Sequence, residues 1–397
     1  MKTHRWTFYA AMVAAAASLG ARAQTAAPVP SLTIKPYGYI KFDAAYDSSR
    51  TSVGDLAFYV LPYNAGQKDA EMNLSVRDTR IGLQFTGPET DRFVTTARLE
   101  GDFVGGGSAS SPNPRLRLAY LDVVCKRTGL QVRAGQDWDT FIVVHPQTPD
   151  LAILGQAGHL YGRRPQLRFT YPVKMGERTS FTARFAVARA IGEGANGDLD
   201  GGGQDDGADA TTPNLQGGFV LDVPLLVSDK PAKFGVTGHW GRETLDTTVS
   251  NRVTAVDTTK YTTWSLIGSA QVPLTHSVTL SGTIWRGENL DSYLGGVGQG
   301  VNRALSTEIA ARGGWAQMLV QASAALTLGA GYGVDDPDDD DLAAGGRARN
   351  ERLFANLFYQ LTPAVTLAAE YSRMTTDYKG GTEAEADRIH GSMIYRF

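Results

Sequence analysis

Charged and bulky side chains alternate with a period of two from Arg115 to Asp122, the pattern of a β-strand that is wetted on one face and apolar on the other. A turn at Lys126, Arg127, Thr128 and Gly129 follows, and the alternation returns through residues 130–135 and again at 166–171. The same rhythm predicts strands at residues 37–46, 72–85, 93–103, 181–188, 215–223, 234–240, 261–272, 278–285, 305–318, 326–334, 353–360, 365–374 and 388–397. Counted together these are about sixteen. Short turns, such as residues 87–91 and 273–276, alternate with long connections, such as 104–114 and 192–213. Strands wetted on one face, joined by turns and loops of unequal length, predict an all-β fold: a transmembrane antiparallel β-barrel. At about sixteen strands the lumen is too wide for side chains to fill and stays aqueous. With no folded segment expected before residue 37, nothing is expected to plug it.

One connection breaks the rule that loops are polar. Residues 139–162 carry Phe141, Ile142, Val143, Val144, Leu151, Ile153, Leu154 and Leu160. So long and apolar a loop is uncommon unless it folds into a cavity and packs there. It is therefore read as a constriction loop inside the barrel, with Asp139, Phe141, His145, Asp150 and His159 as its candidate pore residues.

Strand parity then assigns the wall. A charged side chain on the lipid face near the bilayer midplane costs about 2–4 kcal/mol, so bulky apolar residues go outward and their neighbours inward. Placing Ile81, Leu83, Phe85, Phe93, Leu99 and Phe103 outward sends Arg80 and Arg98 inward, together with Glu100 and Asp102. Placing Leu116, Leu118, Tyr120, Leu167, Phe169, Tyr171, Phe181, Phe185 and Val187 outward sends Arg115, Arg117, Arg164, Arg168 and Arg184 inward. Tyr37, Tyr39 and Phe42 are read as part of an interfacial aromatic girdle. Seven arginines around a constriction would attract and orient small anions, because guanidinium binds carboxylate or phosphate bidentately. The structural alternative is that Arg98 and Arg117 pair with Glu100 and Asp102 and hold the wall together.

The chain ends place the barrel. Residues 1–23 hold Lys2, His4 and Arg5, an Ala-rich apolar run and Ala21-Arg22-Ala23, which reads as a secretory signal peptide. A short lead, residues 24–36, precedes a barrel spanning 37–397. Ile389, Gly391, Met393, Tyr395 and Phe397 share one face of the last strand. A terminal Phe with Tyr two residues before it looks like the sorting signal of bacterial outer-membrane barrels. That likeness implies the barrel-assembly machinery as a partner and outer-membrane lipid as the surroundings.

Composition narrows the function classes. Hydrophobic residues make up 42% of the chain, with 45 glycines. Beyond the leader no run approaches eighteen apolar residues, which excludes helical spans. The net charge of −3, more negative once Lys2, Arg5 and Arg22 are removed, argues against nucleic acid as a partner. Cys125 is the single cysteine, so no intrachain disulfide forms. His145, His159, His239, His276 and His390 are scattered without metalloprotease spacing, and no nucleophile-elbow motif occurs. No catalytic residue, metal or cofactor is assigned. An outer-membrane Ser/His hydrolase is the enzymatic alternative. Two acidic loops, one with Asp198, Asp200, Asp205, Asp206 and Asp209 and the other over residues 335–341, offer oxygen ligands for calcium but lack the spacing of a twelve-residue calcium loop.

Tyr37-Gly38-Tyr39-Ile40-Lys41-Phe42-Asp43, Arg115 to Leu121, Ala134 to Phe141 and Met393-Ile394-Tyr395-Arg396-Phe397 resemble the DcaP-like porins of Gram-negative outer membranes, over most of the mature chain. The resemblance implies a 16-stranded trimeric barrel with an inward third loop that passes small anions such as dicarboxylates by diffusion. Some members carry a coiled-coil segment before the barrel, where this chain offers only residues 24–36. An unselective general porin, a closed structural or adhesive barrel and a soluble secreted β-sandwich are the other readings.

Overall fold

The computed structural model describes residues 32–63, 68–108, 110–192, 205–246, 249–250, 254–255 and 258–397. The predicted leader and most of the lead lie outside the described residues, as do Asp198 and Asp200.

One antiparallel sheet of seventeen strand segments runs round the molecule. Glu71–Ser75 and Arg80–Thr86 both pair with Thr33–Asp47 and are the two halves of one interrupted strand, so the wall has sixteen. The others, in order, are Phe93–Asp102, Arg115–Cys125, Gln131–Trp138, Arg163–Lys174, Ser180–Ala188, Asn214–Val223, Ala232–Asp246, Thr258–Pro273, Val278–Glu288, Ala310–Gln321, Leu326–Pro337, Arg347–Gln360, Val365–Tyr378 and Ala384–Arg396. Each pairs with its neighbour in the chain, and Ala384–Arg396 returns to Thr33–Asp47 with Tyr39 opposite Arg396 and Asp47 opposite Arg388. The Gly38 and Phe397 amides each donate to the other's carbonyl at 3.2 Å across this seam. The barrel is closed, so this sheet has no first or last strand left without a neighbour among the described residues.

The period-two sequence explains why the sheet curls as it does. Ile389, Met393, Tyr395 and Phe397 are exposed on the outer face while Arg388, His390 and Ser392 are buried on the inner one. Ile81, Leu99, Leu116, Leu167, Phe169 and Phe185 likewise point outward.

Three local readings are corrected by the structure. The strand over residues 72–85 is interrupted at residues 76–79, where Arg77 leaves the ladder to meet Asp55 at 2.8 Å. Tyr37 and Tyr39 face the lumen, donating to Glu100 (2.9 Å) and Asp78 (3.1 Å), and only Phe42 of that trio faces outward. In Arg115–Cys125 the register against Phe93–Asp102 shifts at Glu100/Gly101. A bulge inserts one extra residue and reverses the alternation beyond it, so Leu118 is buried and Leu121, not Tyr120, is exposed on the outside. Tyr120 carries the Arg133 guanidinium 3.7 Å from its ring.

Candidate functional site

Residues 139–162 cross the lumen rather than covering its mouth. At the near end Asp139 pairs with Arg164 at 2.7 Å and accepts from Gln216 Nε2 at 2.6 Å, and Gln216 Oε1 accepts from the Thr140 backbone amide at 2.7 Å. Thr237 Oγ1 donates to the Phe141 carbonyl at 2.7 Å. The Phe141 ring is buried with Ile267, Trp285, Leu290 and Tyr293, which is why so apolar a sequence is tolerated here. Further on, Gln317 makes a two-way amide contact with Gln147 (2.8 and 2.7 Å), Thr148 donates to Glu370 (2.6 Å), and Asp150 meets Arg352 (2.6 Å) and Arg388 (3.4 Å). Back on the first strand, Lys41 Nζ donates to the Pro149 carbonyl at 2.6 Å. These partners belong to the inward set of strands all round the wall, so the loop lies inside the barrel.

Its seat depends on bare backbone. Gly158 has φ +103°, and a Cβ there would lie 2.1 Å from the Gly314 carbonyl oxygen. Only glycine adopts that conformation without strain and allows that approach. Trp285 Nε1 fixes the same turn by donating to the Gly158 carbonyl at 2.8 Å.

His145 and His159 form a pair inside the loop, Nδ1 to Nε2, at 3.0 Å. Trp315 Nε1 donates to His159 Nδ1 at 3.2 Å. Indole can only donate, so neutral His159 carries its proton on Nε2 and donates to His145. Burial, with the positive charges of Arg117 and Arg163 nearby, pushes the His145 pKa down to about 4, and burial beside His145 pushes His159 well below the usual range.

A second segment also folds inward. Val60 donates to Thr376 Oγ1 (2.9 Å), Asn350 Nδ2 donates to the Phe58 carbonyl (2.9 Å), and Ala57 and Val60 are buried against Met374, Ala384 and Ala386. Asn350 Nδ2 also reaches the Gln156 carbonyl at 2.6 Å, so one amide ties both loops to the wall.

Between the loops and the strands lies a cavity of about 900 Å³. Lys41, Arg77, Arg80, Arg115, Arg117, Arg163 and Arg396 border it, against two carboxylates, Asp78 and Asp150. A second cavity of about 490 Å³ shares Gln147, Phe358 and Arg396 with it and is otherwise lined by Gln321, Thr327, Gln360 and Thr366, beside the short turns. A strongly basic chamber thus adjoins a mostly amide- and hydroxyl-lined cavity in which Arg396 is the one charged lining residue.

Of the arginines marked by parity, Arg80, Arg115 and Arg117 border the chamber and Arg98, Arg164, Arg168 and Arg184 do not. Arg164 is fully buried between Asp139 and the Tyr293 ring, 4.1 Å away. Arg168 pairs with Asp137, Arg184 donates to the Ile142 carbonyl at 3.2 Å, and Arg98 lies over the Tyr37 ring at 5.3 Å. Of the loop residues His145 and Asp150 line the chamber, whereas Asp139, Phe141 and His159 are buried where loop meets wall. Arg117 is held by Glu100 (2.9 Å) and Asp102 (2.8 Å), and Arg98 by neither. Asp205 is taken up capping the short helix Asp206–Asp209. No group of three His, Cys, Asp or Glu side chains is arranged for a metal among the described residues.

The Gram-negative porin family matches this sequence over residues 10–379. This chain belongs to that family. It is an outer-membrane channel protein. Among solved structures, the DcaP outer-membrane channel of Acinetobacter baumannii superposes with a TM-score of 0.72 at 18% identity, covering 92% of this chain and 98% of that one. The anion-selective porin of Comamonas acidovorans gives 0.56 at 11% identity, covering 92% and 100%. OmpT of Vibrio cholerae, solved in a trimer form, gives 0.56 at 10% identity, again covering 92% and 100%. No curated protein matches.

Sequence reasoning about this porin missed Lys41, Arg77, Arg163 and Arg396. Lys41 was within reach of parity, since its neighbours Ile40 and Phe42 are both exposed on the outer face. Arg163 was not: it is adjacent to inward-facing Arg164 and enters the lumen only because its strand ends there, opposite Trp138.

Proposed function

We propose that this porin is a passive pore favouring small anions, carboxylates among them, with no chemical step and no cofactor. The observation that carries the reading is the chamber above the constriction, bordered by seven basic side chains and two acidic ones. Low-dielectric walls focus that field on the permeating solute. The fold likeness to a porin described as anion-selective lends support. We further propose that residues 1–23 are removed on export, that the barrel domain, expected from residue 37, opens with the strand Thr33–Asp47 and runs on to residue 397, and that three copies assemble, as OmpT does in its trimer form.

The test is the zero-current potential of the refolded protein in a planar bilayer under a KCl gradient. The expected sign is that of chloride permeation, moving toward zero in Arg80→Ala plus Arg115→Ala. A wild-type potential near zero would make it an unselective porin, and absence of any conductance a closed barrel.

A further inference from the structure

Most cations of the chamber are already neutralised by the wall behind them. Arg117 has Glu100 and Asp102, Arg115 has Asp102 at 2.7 Å, Arg77 has Asp55 at 2.8 Å, Arg80 has Asp78 at 3.3 Å, and Lys41 has Asp78 at 2.8 Å and Asp43 at 3.2 Å. Arg163 and Arg396 differ, neither having a carboxylate within 4.0 Å among the described residues, but Arg396 Nη1 donates to Thr366 Oγ1 at 2.6 Å, whereas Arg163 Nη1 is buried with no hydrogen-bond partner.

We propose that Arg163 is the anion-docking residue of the pore, holding the oxyanion group of a passing solute, carboxylate, sulfate or phosphate, on the edge of its guanidinium. This rests on the anion-favouring reading above and names the place where it acts. Arg163 opens the strand that leaves the constriction loop and pairs in register with Trp138, which closes the strand entering it. It therefore stands at the root of the constriction loop and borders the chamber. Its guanidinium lies 4.6 Å from the Trp138 ring, and that of Arg117 lies 5.6 Å from the same ring. The indole attracts the cation through its ring while Arg163 also borders the chamber, where its planar group can offer hydrogen-bond donors in a fork.

The other groups at this spot do not accept from Nη1: Tyr161 donates its hydroxyl proton to the Ala152 carbonyl at 2.8 Å, and His145 Nδ1 already accepts from His159. A buried donor without an acceptor is costly and calls for one from outside. A guanidinium matches an oxyanion in both charge and two-point geometry, which water does not. Arg117 and Arg115, each held by carboxylates, raise the local potential without competing for the ligand. One uncompensated fork gives a dwell long enough to orient the solute and weak enough to release it, as conduction requires.

The experiment uses sulfate as probe and chloride current through single channels in planar bilayers as readout. For the wild type, Arg163→Gln, Arg163→Lys and Arg115→Gln, the sulfate concentration that halves the current is measured together with the zero-current potential. Arg163→Gln is expected to raise the half-blocking concentration roughly tenfold, the loss of one charge-assisted two-point contact. Its chloride preference should persist in reduced form. Arg163→Lys keeps the charge and loses the fork, so it should recover only part of the block, and Arg115→Gln should change it less than about threefold. A wild type that sulfate does not block, or an Arg163→Gln channel blocked as well as the wild type, would overturn the proposal even with chloride preference intact. Arg163-dependent sulfate block in a wild type without chloride preference would uphold the docking residue and remove the general anion reading. Arg163→Lys supplies the comparison should the glutamine variant fail to refold.

Discussion

Arg117 is held by two carboxylates and Arg163 by none, so substituting each should separate stability from permeation. Arg117→Ala removes the shorter ion pair of Glu100 and one of the two of Asp102 deep in the wall, leaving Glu100 with Arg80 at 3.7 Å and Asp102 with Arg115 at 2.7 Å. Breaking a buried ion pair from one side costs about 3–5 kcal/mol. The expected outcome is a clearly lowered urea midpoint in detergent, with chloride preference weakened because two acids then face the chamber with one fewer cation. Arg163→Gln strands no partner, and its midpoint should stay within about 1 kcal/mol of the wild type. Equal losses in the two variants would contradict this division of labour. Arg164 belongs with Arg117: its guanidinium, between Asp139 and Tyr293, fastens the constriction loop instead of meeting solute.

The loop behaves as one element with identifiable fastenings. Gly158→Ala should unseat the turn that rests on Gly314, because its Cβ would lie 2.1 Å from that carbonyl oxygen. We expect larger and noisier single-channel conductance without loss of the barrel, read from bilayer traces beside heat-dependent gel mobility. The histidine pair adds a pH dependence whose sign is fixed. Burial and neighbouring cations bring His145 down to about 4 in the fold, and burial beside His145 holds His159 well below its ordinary value, against about 6.5 when exposed. The folded loop therefore takes up protons less readily than the released one. Its seating energy is complete above about pH 6.5 and is lost as pH falls toward 4. Loop cleavage by an acid-tolerant protease should rise through that window in the wild type and less so in His145→Gln; a flat profile in the wild type would rule the pair out as the cause. That this loop enters the lumen was legible in the sequence, because apolar Phe141 to Leu160 has no business on a wet surface. The inward seat of Ala57 and Val60 was not legible, since its justification is Met374, Ala384 and Ala386, more than three hundred residues away. The bulge at Arg117 and Leu118 escaped for a related reason: a register shift is a property of two strands, and the alternation within one cannot reveal it. The same holds for the chamber. Parity shows which arginines face inward, but only the cross-strand register shows which have a carboxylate behind them.

At the scale of the whole molecule the wall is uneven, and the unevenness bears on assembly. Thr258–Pro273 has 16 residues, while Gln131–Trp138 has 8, Phe93–Asp102 has 10, and the interrupted strand is cut into pieces of 5 and 7. A tilted strand needs about 9–11 residues to cross the hydrocarbon layer. On the low side, lipid would meet the break at residues 76–79, and irregular backbone is not stable against lipid. Covering that side with further copies of the chain removes the mismatch, which is the physical argument for the proposed trimer. The outward residues there include Ile81 and Leu99, whereas Ile284 faces outward from Val278–Glu288, the strand paired with long Thr258–Pro273 on another part of the wall. In mild detergent the wild-type mass, measured by light scattering, should be that of three copies. Leu99→Arg places a charge inside the proposed contact, so it should give single copies that keep the heat-dependent mobility of a closed barrel and still conduct. Ile284→Arg meets lipid at a cost of about 2–4 kcal/mol near the midplane and should leave the threefold mass unchanged. A single-copy wild type would refute the assembly outright. A threefold mass that survives Leu99→Arg but not Ile284→Arg would move the contact to the tall side, where strand length gives no reason for one.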